Sequence, residues 1–393
     1  MKKGWEIKKL GEVCEVNCGS TPLRGNKLFW ENGTFPWFTI EDIREQGRII
    51  NSTKQKVTNL ALTKLKLFPE NTVLLCCTAS VGEYALTKIQ ITSNQQFNGL
   101  TVNNAKQLDP NYLFHFCSTL KETLLNLSGK TTIDFVSQSK IKEIDIPIPT
   151  ISEQQHIVQI LDEAFEKIDT LKANAERNLQ NAKELFQSAL TEELKPKKGW
   201  EEKTIKEIST HLGDGLHGTP KYTEDGEYHF INGNNLTKGI ISFKESTKRV
   251  NTEEYQKYKK NLNERSVLVS INGTLGNVAF YNNEKIILGK SACYFNLKEN
   301  VNKYFIMHII ASPTFINYAH KEATGATIKN VSLKSMREFK IPLPPLKVQQ
   351  TIVEHLDTLS SHCKGLEANY QRTIAQCEEM KKAVLGKAFR GEL

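Results

Sequence analysis

Residues 152–194 read SEQQHIVQILDEAFEKIDTLKANAERNLQNAKELFQSALTEEL, and the predicted architecture is built around this stretch. Its apolar or small residues recur at alternating steps of four and three, broken only at Asn178, which is the heptad pattern of a helix buried along a narrow stripe. The stripe consists of Ile157, Leu161, Ala164, Ile168, Leu171, Ala175, Ala182, Leu185 and Ala189. Ser152 and Gln155 predict a capping box at its start, and Pro196 predicts its end. About 40 residues at roughly 1.5 Å each give a rod on the order of 60 Å long, which needs a partner.

The same chain supplies that partner. Adding 195 to each position of the stripe gives a second apolar stripe, in which the polar Thr373 stands at the position of Asn178. The second stripe consists of Ile352, Leu356, Leu359, Cys363, Leu366, Tyr370, Cys377, Met380 and Val384. Two unrelated amphipathic helices on separate cores are the alternative. The shared register favours two helices that pair with each other.

The repeat extends beyond the helices. KKGWE at residues 2–6 recurs at 197–201, and IPIPTISEQQHIVQILD at 146–162 is matched by IPLPPLKVQQTIVEHLD at 341–357. A period this long corresponds to a whole domain with its helix, because one supersecondary unit needs only 20 to 50 residues or so. The sequence therefore predicts a tandem duplication.

Within each repeat, short β-branched runs predict strands and longer apolar segments predict helices. Strands are predicted at 73–75, 89–91, 267–271 and 286–288, helices at 113–125 and at 303–320 with a break at Pro313, and edge strands at 144–148 and 339–343. We predict an α+β fold in which two tandem mixed α/β domains are separated by two long helices that form an antiparallel coiled coil with an approximate two-fold axis. The predicted segments are a first domain at 1–151, a central helix at 152–195, a second domain at 196–346 and a C-terminal helix at 347–393.

The composition narrows the class of protein. The net charge of +8 divides into +4 and +7 on the two predicted domains and −3 on the helices together, which suits contact with phosphates. A mean hydropathy of −0.43 and the lack of an apolar run near 18 residues argue against a membrane span, and the first residues do not resemble a signal peptide. Eight cysteines without a CxxC pair predict neither zinc nor a disulfide framework, and they suit a reducing cytoplasm.

The sequence shows no catalytic constellation. Residues 129–131 and 289–291 resemble the end of a P-loop, but Leu124 and Glu284 replace the glycine that this motif requires. No glycine-rich turn suited to an adenosyl cofactor follows a predicted strand, and the nine histidines lack ligand spacing. We therefore predict no catalytic residue, no metal site and no cofactor in this chain.

Polar loops stand at equivalent places in the two predicted domains and are the candidate DNA-binding sites. Amide side chains can bond adenine edges, acidic side chains can accept from cytosine, and Lys, Ser and Thr can hold phosphates. The candidates in the first domain are Thr39, Glu41, Asp42, Thr78, Ser80, Gln95, Gln96, Lys130, Thr131 and Thr132; those in the second are Asn232, Asn234, Asn235, Asn272, Thr274, Lys290, Ser291, Thr327 and Lys329. The alternative is that they are ordinary turn residues.

The duplicated layout, the repeated KKGWE and the paired IP-x-P…QQ segments ahead of heptad helices resemble the specificity subunit of type I restriction-modification systems over essentially the whole chain. In the second copy Pro345, Lys347 and Val348 replace Thr, Ser and Glu, so the second helix lacks the predicted capping box. The resemblance implies two target recognition domains that each read one half of a split double-stranded DNA target, with the helices fixing the unread gap. It also implies a subunit without activity of its own.

The resemblance further implies two modification subunits, which bring adenosyl-methionine and methylate adenine, and two restriction subunits, which bring ATP and Mg²⁺. Gln154, Gln155, Gln349 and Gln350, at the helix entrances, are predicted to face the modification subunits. Three alternatives stay open: a specificity subunit that serves a type IIB-like cutting and methylating partner, a fused restriction-methylation enzyme, and a coiled-coil scaffold that binds only proteins.

Overall fold

The computed structural model describes residues 2, 4–128, 134–325 and 328–393. Contacts divide the chain into two units: one comprises residues 1–175 and 372–393, and the other comprises residues 176–371. Each unit therefore combines one globular domain with a segment of each of two long helices.

The first domain alternates short strands and short helices. Its strands are β1 (Glu6–Lys9), β2 (Cys14–Cys18), β3 (Phe35–Phe38), β4 (Ile49–Ile50), β5 (Gln55–Val57), β6 (Val73–Cys76), β7 (Tyr84–Thr87), β8 (Thr92–Ser93), β9 (Phe97–Val102) and β10 (Asp145–Ile148). Its helices are α1 (Leu10–Val13), α2 (Ile40–Gln46), α3 (Asn59–Leu62), α4 (Pro110–Cys117), α5 (Lys121–Leu127) and α6 (Gln138–Lys142), with a 3₁₀ turn at Lys27–Phe29. The long helix α7 (Ile151–Glu193) follows.

The core of the first domain is a five-stranded sheet in the order β2-β9-β6-β7-β4. Strand β6 lies between β9 and β7, and Val73 faces Leu100 on one side and Leu86 on the other. All four residues of β6 are buried, which explains its continuous apolar run. A three-stranded sheet (β5-β3-β8) and the pair β1-β10 complete the domain.

The second domain repeats this plan. Its strands are β11 (Glu201–Thr204), β12 (Ser209–Asp214), β13 (Tyr228–Ile231), β14 (Leu236–Thr237), β15 (Ile240–Ile241), β16 (Arg249–Val250), β17 (Ser266–Ser270), β18 (Val278–Phe280), β19 (Ile286–Leu288), β20 (Ala292–Leu297) and β21 (Lys340–Leu343). Its helices are α8 (Ile205–Ile208), α9 (Thr252–Tyr258), α10 (Lys303–Ala311), α11 (Pro313–Glu322) and α12 (Leu333–Glu338), with a 3₁₀ turn at Gly233–Asn235, and α13 (Leu346–Arg390) follows.

Strand β17 of the second domain corresponds to strand β6 of the first. It lies in a sheet of order β12-β20-β17-β18, and Val267 faces Phe295 and Phe280 as Val73 faces its two partners. The remaining strands form the sheets β16-β13-β19, β14-β15 and β11-β21. The predicted α+β class with duplicated mixed domains is confirmed.

Several predicted elements differ in detail. The predicted helix at 113–125 is two helices, α4 and α5, and the helix predicted from residue 303 breaks at Pro313 as expected. The strand predicted at 89–91 is wrong, because Ile91 makes only an isolated bridge to Phe68 and the strand β8 begins one residue later. These segments are too short for periodicity to fix their ends.

Helix α7 begins one residue earlier than predicted. Thr150 caps it, since the Thr150 hydroxyl accepts from the backbone N–H of Glu153 at 3.4 Å and the Thr150 carbonyl accepts from that of Gln154 at 2.9 Å. The predicted capping box on Ser152 is therefore wrong, because Ser152 lies inside the first turn. Helix α13 starts at the corresponding place after Pro345, whose carbonyl accepts from the N–H of Gln349 at 3.1 Å.

The two long helices pack together and run antiparallel. In the first unit Asp169 pairs with Lys381 and Lys172 pairs with Glu378, so the residue numbers rise on one helix as they fall on the other. In the second unit His355 Nδ1 lies 2.9 Å from a Glu193 oxygen. Among the predicted seam residues, Ile157, Leu161, Ile168, Ile352 and Leu356 are buried and Leu359 is half-buried.

Four predicted seam residues are not in the seam. Leu171, Leu185, Leu366 and Met380 are 45, 52, 41 and 47% exposed. The other heptad position keeps its seven-residue spacing and stays buried at Ile168, Ala175 and Ala182, whereas Lys172 and Phe186, the residues after Leu171 and Leu185, are half-buried in their place. Lys172 and Lys381, one residue further along the chain, make the interhelical ion pairs instead.

Candidate nucleic-acid interface

In the first domain the predicted DNA-binding loops meet at one place. Four backbone hydrogen bonds join the segments that follow β3, β6, β8 and α5: Asn94 N to Phe38 O (3.2 Å), Cys77 N to Gln96 O (2.8 Å), Val136 N to Cys77 O (2.9 Å) and Ala79 N to Asp134 O (3.1 Å). Loops that leave different strands are thus held at one edge of the domain, as a composite reading surface requires.

The second domain brings the equivalent loops together in the same way. The connecting bonds are Gly233 N to Ser291 Oγ (2.8 Å), Ile271 N to Ser291 O (3.0 Å), Val331 N to Ile271 O (2.8 Å) and Gly273 N to Lys329 O (3.0 Å). A Cβ on Gly233 would lie 2.2 Å from the Ser270 hydroxyl, so only glycine fits where these two loops cross. Both domains therefore build the edge from matching segments.

Some candidate side chains are used within the domain itself. Asp42 is buried and accepts from the N–H of Thr39 at 2.7 Å and of Lys54 at 2.8 Å, which closes the first turn of α2. Asn235 is likewise buried and accepts from the N–H of Asn232 at 2.9 Å. The DNA-binding prediction is therefore wrong for Thr39, Asp42 and Asn235, because all three side chains are buried.

Other candidates remain on the surface. Glu41, Gln95, Asn234, Thr274, Lys290 and Lys329 are exposed, and Thr78, Ser80, Gln96, Asn232, Asn272 and Ser291 are half-buried. The half-buried amides support the loops: Asn94 Nδ2 donates to Gln96 Oε1 at 2.9 Å and Asn272 Nδ2 donates to Asn330 Oδ1 at 3.2 Å. Lys130, Thr131, Thr132 and Thr327 lie outside the described residues. The exposed and the half-buried residues can both contact DNA, and their roles stay predictions.

Sequence reasoning missed the segment before β3. The Thr21 hydroxyl donates to the Gln95 side chain, and the exposed Cys18 thiol lies 3.5 Å from the Gln95 carbonyl, so this segment borders the predicted reading loops. Partial desolvation beside Gln95 raises the pKa of the Cys18 thiol. No motif marks this segment, and only its spatial position reveals it.

Of the four glutamines at the helix entrances, Gln154 and Gln349 do not face outward as predicted. Gln154 is fully buried: its amide donates to the carbonyls of Gln107 (2.8 Å) and Pro149 (2.9 Å) and accepts from the N–H of Asp109 (2.8 Å). Gln349 repeats the three bonds with Asn300 (3.1 Å), Pro344 (2.8 Å) and Asn302 (2.8 Å). The partner-contact prediction is wrong for both, because their amides bind backbone groups of the domain. Gln155 and Gln350 are exposed.

A second repeated contact joins each domain to its helix. Buried His115 on α4 lies 2.8 Å from Asp162 on α7, and buried His308 on α10 lies 2.9 Å from Asp357 on α13. Burial lowers the pKa of both imidazoles, and the neighbouring carboxylate opposes part of that shift. Both histidines are therefore neutral at pH 7 and donate to the carboxylate through Nε2.

Seven of the eight cysteines are buried. Burial raises the pKa of Cys14, Cys77 and Cys293 to about 12, so these thiols are poor nucleophiles. Across residues 2, 4–128, 134–325 and 328–393, no three His, Cys, Asp or Glu side chains stand close enough to hold a metal ion. Within the same residues, no helix is both long and apolar enough to cross a membrane.

Fold and surface together define a duplicated protein with two loop-bearing domains joined to paired helices. Residues 2–180 and 197–376 match the family described as type I restriction modification DNA specificity domain. The chain belongs to this family. It is 26% identical to the type I restriction enzyme MjaIX specificity subunit of Methanocaldococcus jannaschii, over 100% of this chain and 94% of that protein.

Two solved structures share the fold. A chain from a study of complex assembly and conformational transition of the type I R-M system superposes with a TM-score of 0.79 at 21% identity, covering 100% of this chain and 99% of that one. The HsdS subunit from Thermoanaerobacter tengcongensis gives a TM-score of 0.65 at 20% identity, covering 100% and 98%. The chain is thus a type I restriction-modification specificity subunit by family and fold.

Proposed function

We propose that this specificity subunit reads a bipartite DNA target, that each domain contacts one half-site, and that the paired helices set the length of the unread gap. One observation carries the proposal: the two domains hold matching loops at matching strand ends but place different side chains on them. Gln95 and Gln96 of the first domain stand where the second has Lys290 and Ser291. An amide and an ammonium group bond different base edges, so the half-sites differ.

The charge distribution supports DNA as the ligand. The two domains carry the basic excess of the chain, whereas the helices carry a small acidic excess. Basic residues on the reading domains can neutralise phosphates and hold each domain in register while the loops contact bases. The helices need no such contact if their role is to separate the half-sites.

Partner subunits would carry out the methylation and the DNA cleavage. Modification subunits would supply adenosyl-methionine, and restriction subunits would supply ATP and Mg²⁺, in a cytoplasmic complex with two copies of each. The exposed Gln155 and Gln350, and the exposed apolar residues Leu171, Leu366 and Met380, offer such partners a helix surface. The family assignment supports this division of labour.

An exchange of domains tests the proposal. Residues 1–150 are replaced by the same region of a related subunit of known target, and the chimera is expressed with the modification subunit of this system. We expect methylation sequencing to show one half of the target replaced and the other half and the gap retained. The reciprocal exchange of residues 196–346 is the matched control and replaces the other half. A change in both halves after either exchange contradicts independent reading.

A further inference from the structure

The segment between β2 and β3 forms a rigid platform beside the predicted reading loops. The Trp37 indole N–H donates to the Ser20 carbonyl at 3.2 Å, and the Trp30 indole N–H donates to the Leu23 carbonyl at 3.2 Å. The two indole rings pack edge to face with centroids 5.0 Å apart. Phe29, Trp37, Val57 and Ala61 form a small buried core of their own beneath the segment. The backbone from Ser20 to Trp30 is therefore held in place.

Arg24 is fixed on this platform. Its guanidinium carbon lies 4.0 Å from the centroid of Trp30 and 4.4 Å from that of Trp37, and Nη1 donates to Gln55 Oε1 at 2.7 Å. Among the described residues no carboxylate forms an ion pair with Arg24. No neighbouring carboxylate therefore compensates its charge, and the two indole rings and the Gln55 amide hold its donor groups in place.

The platform and the reading loops share one edge. The Thr21 hydroxyl donates to Gln95, and the Ser20 N–H donates to the Ser93 carbonyl at 2.8 Å. Trp37 also lies on β3, whose last residue accepts from the Asn94 N–H. A DNA groove that meets Gln95 therefore lies within reach of Arg24, three residues from Thr21.

We propose that Arg24 is a specificity-determining residue of the first domain and reads a guanine by paired hydrogen bonds to its O6 and N7 atoms. Arginine bonded to these two atoms is the commonest base-specific contact in the major groove, and it requires a planar donor pair in a fixed orientation. Leu23 and Leu28 beside it are 72 and 68% exposed, and such apolar side chains suit base edges better than hydrated phosphates. This inference rests on the proposed DNA-reading function.

The described residues of the second domain do not include an arginine placed over two aromatic rings. Tyr222 packs on Phe230 with centroids 5.8 Å apart at the equivalent place, and no arginine lies over either ring. Lys248 faces Phe230 across the strand pair, where Gln55 faces Trp37 in the first domain. The second half-site is therefore an internal control in every experiment on Arg24.

The test compares Arg24→Lys and Arg24→Ala with Arg48→Lys in the complete complex. Arg48 is the matched control because it also lies over an aromatic ring, 4.2 Å from the Tyr84 centroid, but is neutralised by Glu83 at 2.9 Å. Methylation sequencing in cells gives the target of each variant, and the domain exchange identifies the half-site of the first domain. Gln55→Ala is a further variant, which frees the guanidinium without removing it.

We expect one G·C pair in the half-site of the first domain to become degenerate in both Arg24 variants, with discrimination at that position reduced roughly 10- to 100-fold. Gln55→Ala is expected to reduce it less, and Arg48→Lys is expected to leave it unchanged. Retained methylation of the second half-site sequence shows that the variant complex is folded.

Two results overturn the inference. One is a wild-type half-site for the first domain without any G·C pair. The other is a uniform loss of DNA affinity in Arg24→Ala with an unchanged target and a smaller salt dependence, which indicates a phosphate contact. Either result leaves the bipartite reading itself intact, since the domain exchange measures that separately.

Discussion

The two domains repeat each other bond for bond where they join the helices, and they differ where they would face DNA. Gln154 and Gln349 make the same three hydrogen bonds, and the His115–Asp162 contact recurs between His308 and Asp357. At the reading edge, Arg24 on two tryptophans has no counterpart among the described residues of the second domain. The junction, where each domain contacts the start of its long helix, is therefore the invariant part of the duplication, and the loop edge is the variable part.

The largest effect is expected from a change in helix length. Deleting residues 174–180 together with 369–375 removes one heptad at equivalent places of both helices. This shortens each helix by about 10 Å, which corresponds to about three base pairs of DNA. We expect methylation sequencing to show a gap shorter by about that length with both half-sites unchanged.

Insertion of one heptad at the same places is the matched control and is expected to lengthen the gap. Altered half-sites with an intact gap would falsify the role of the helices as a spacer. Deletion in only one helix breaks the register of the pair, so we expect it to abolish methylation.

A smaller effect is expected at the repeated glutamines. Gln154→Leu and Gln349→Leu each leave one backbone N–H and two carbonyls without their partner, so we expect each to lower the free energy of unfolding by about 2 to 4 kcal/mol. Denaturant unfolding of the chain measures the change. The exposed neighbours Gln155→Leu and Gln350→Leu are the controls and are expected to change it by less than about 0.5 kcal/mol. A large cost at only one glutamine shows that the two junctions are not equivalent.

The smallest effect is a pH dependence shared by both junctions. The pKa of His115 and of His308 is lowered below the ordinary 6.5 in the folded chain, so below pH 6.5 the unfolded chain binds more protons. Stability therefore falls as the pH falls below 6.5, with a slope of at most about 1.4 kcal/mol per pH unit for each histidine.

The double variant His115→Asn, His308→Asn is expected to flatten that slope, since asparagine keeps a donor for the carboxylate without titrating. Gln155→Asn, on an exposed side chain that does not titrate, is the control and is expected to leave the slope unchanged. Thermal unfolding between pH 5.5 and 7.5 measures all three chains. If the pH dependence of stability is unchanged in the double variant, groups other than His115 and His308 take up the protons.

Periodicity and repetition predicted the helices and the duplicated domains because both signals extend over dozens of residues. These signals did not predict the burial of individual side chains. Leu171 and Leu185 fit the heptad in sequence but are exposed, and their neighbours Lys172 and Phe186 are half-buried in their place. Gln154 looked like a surface residue, because its three partners are backbone groups and leave no mark in the sequence.

The candidate site was predicted less well than the fold. Polar loop residues indicate a possible contact, but Asp42 and Asn235 use the same hydrogen-bonding capacity to close turns. Arg24 depends on Trp37 and Gln55, which lie 13 and 31 residues away, and such contacts arise only when strands pair. Loop composition therefore indicated candidate DNA-binding segments, whose role stays a prediction, but not which of their side chains are exposed.

Cys18 offers a site for chemical labelling beside the loops of the first domain. It is the exposed cysteine of the eight, and it lies against Gln95, whereas the other seven thiols are buried. A maleimide fluorophore at mildly alkaline pH would therefore label the native chain at a single known position beside the predicted DNA-binding loops of the first domain. Quenching of that dye on addition of duplex would report occupancy of one half-site in real time.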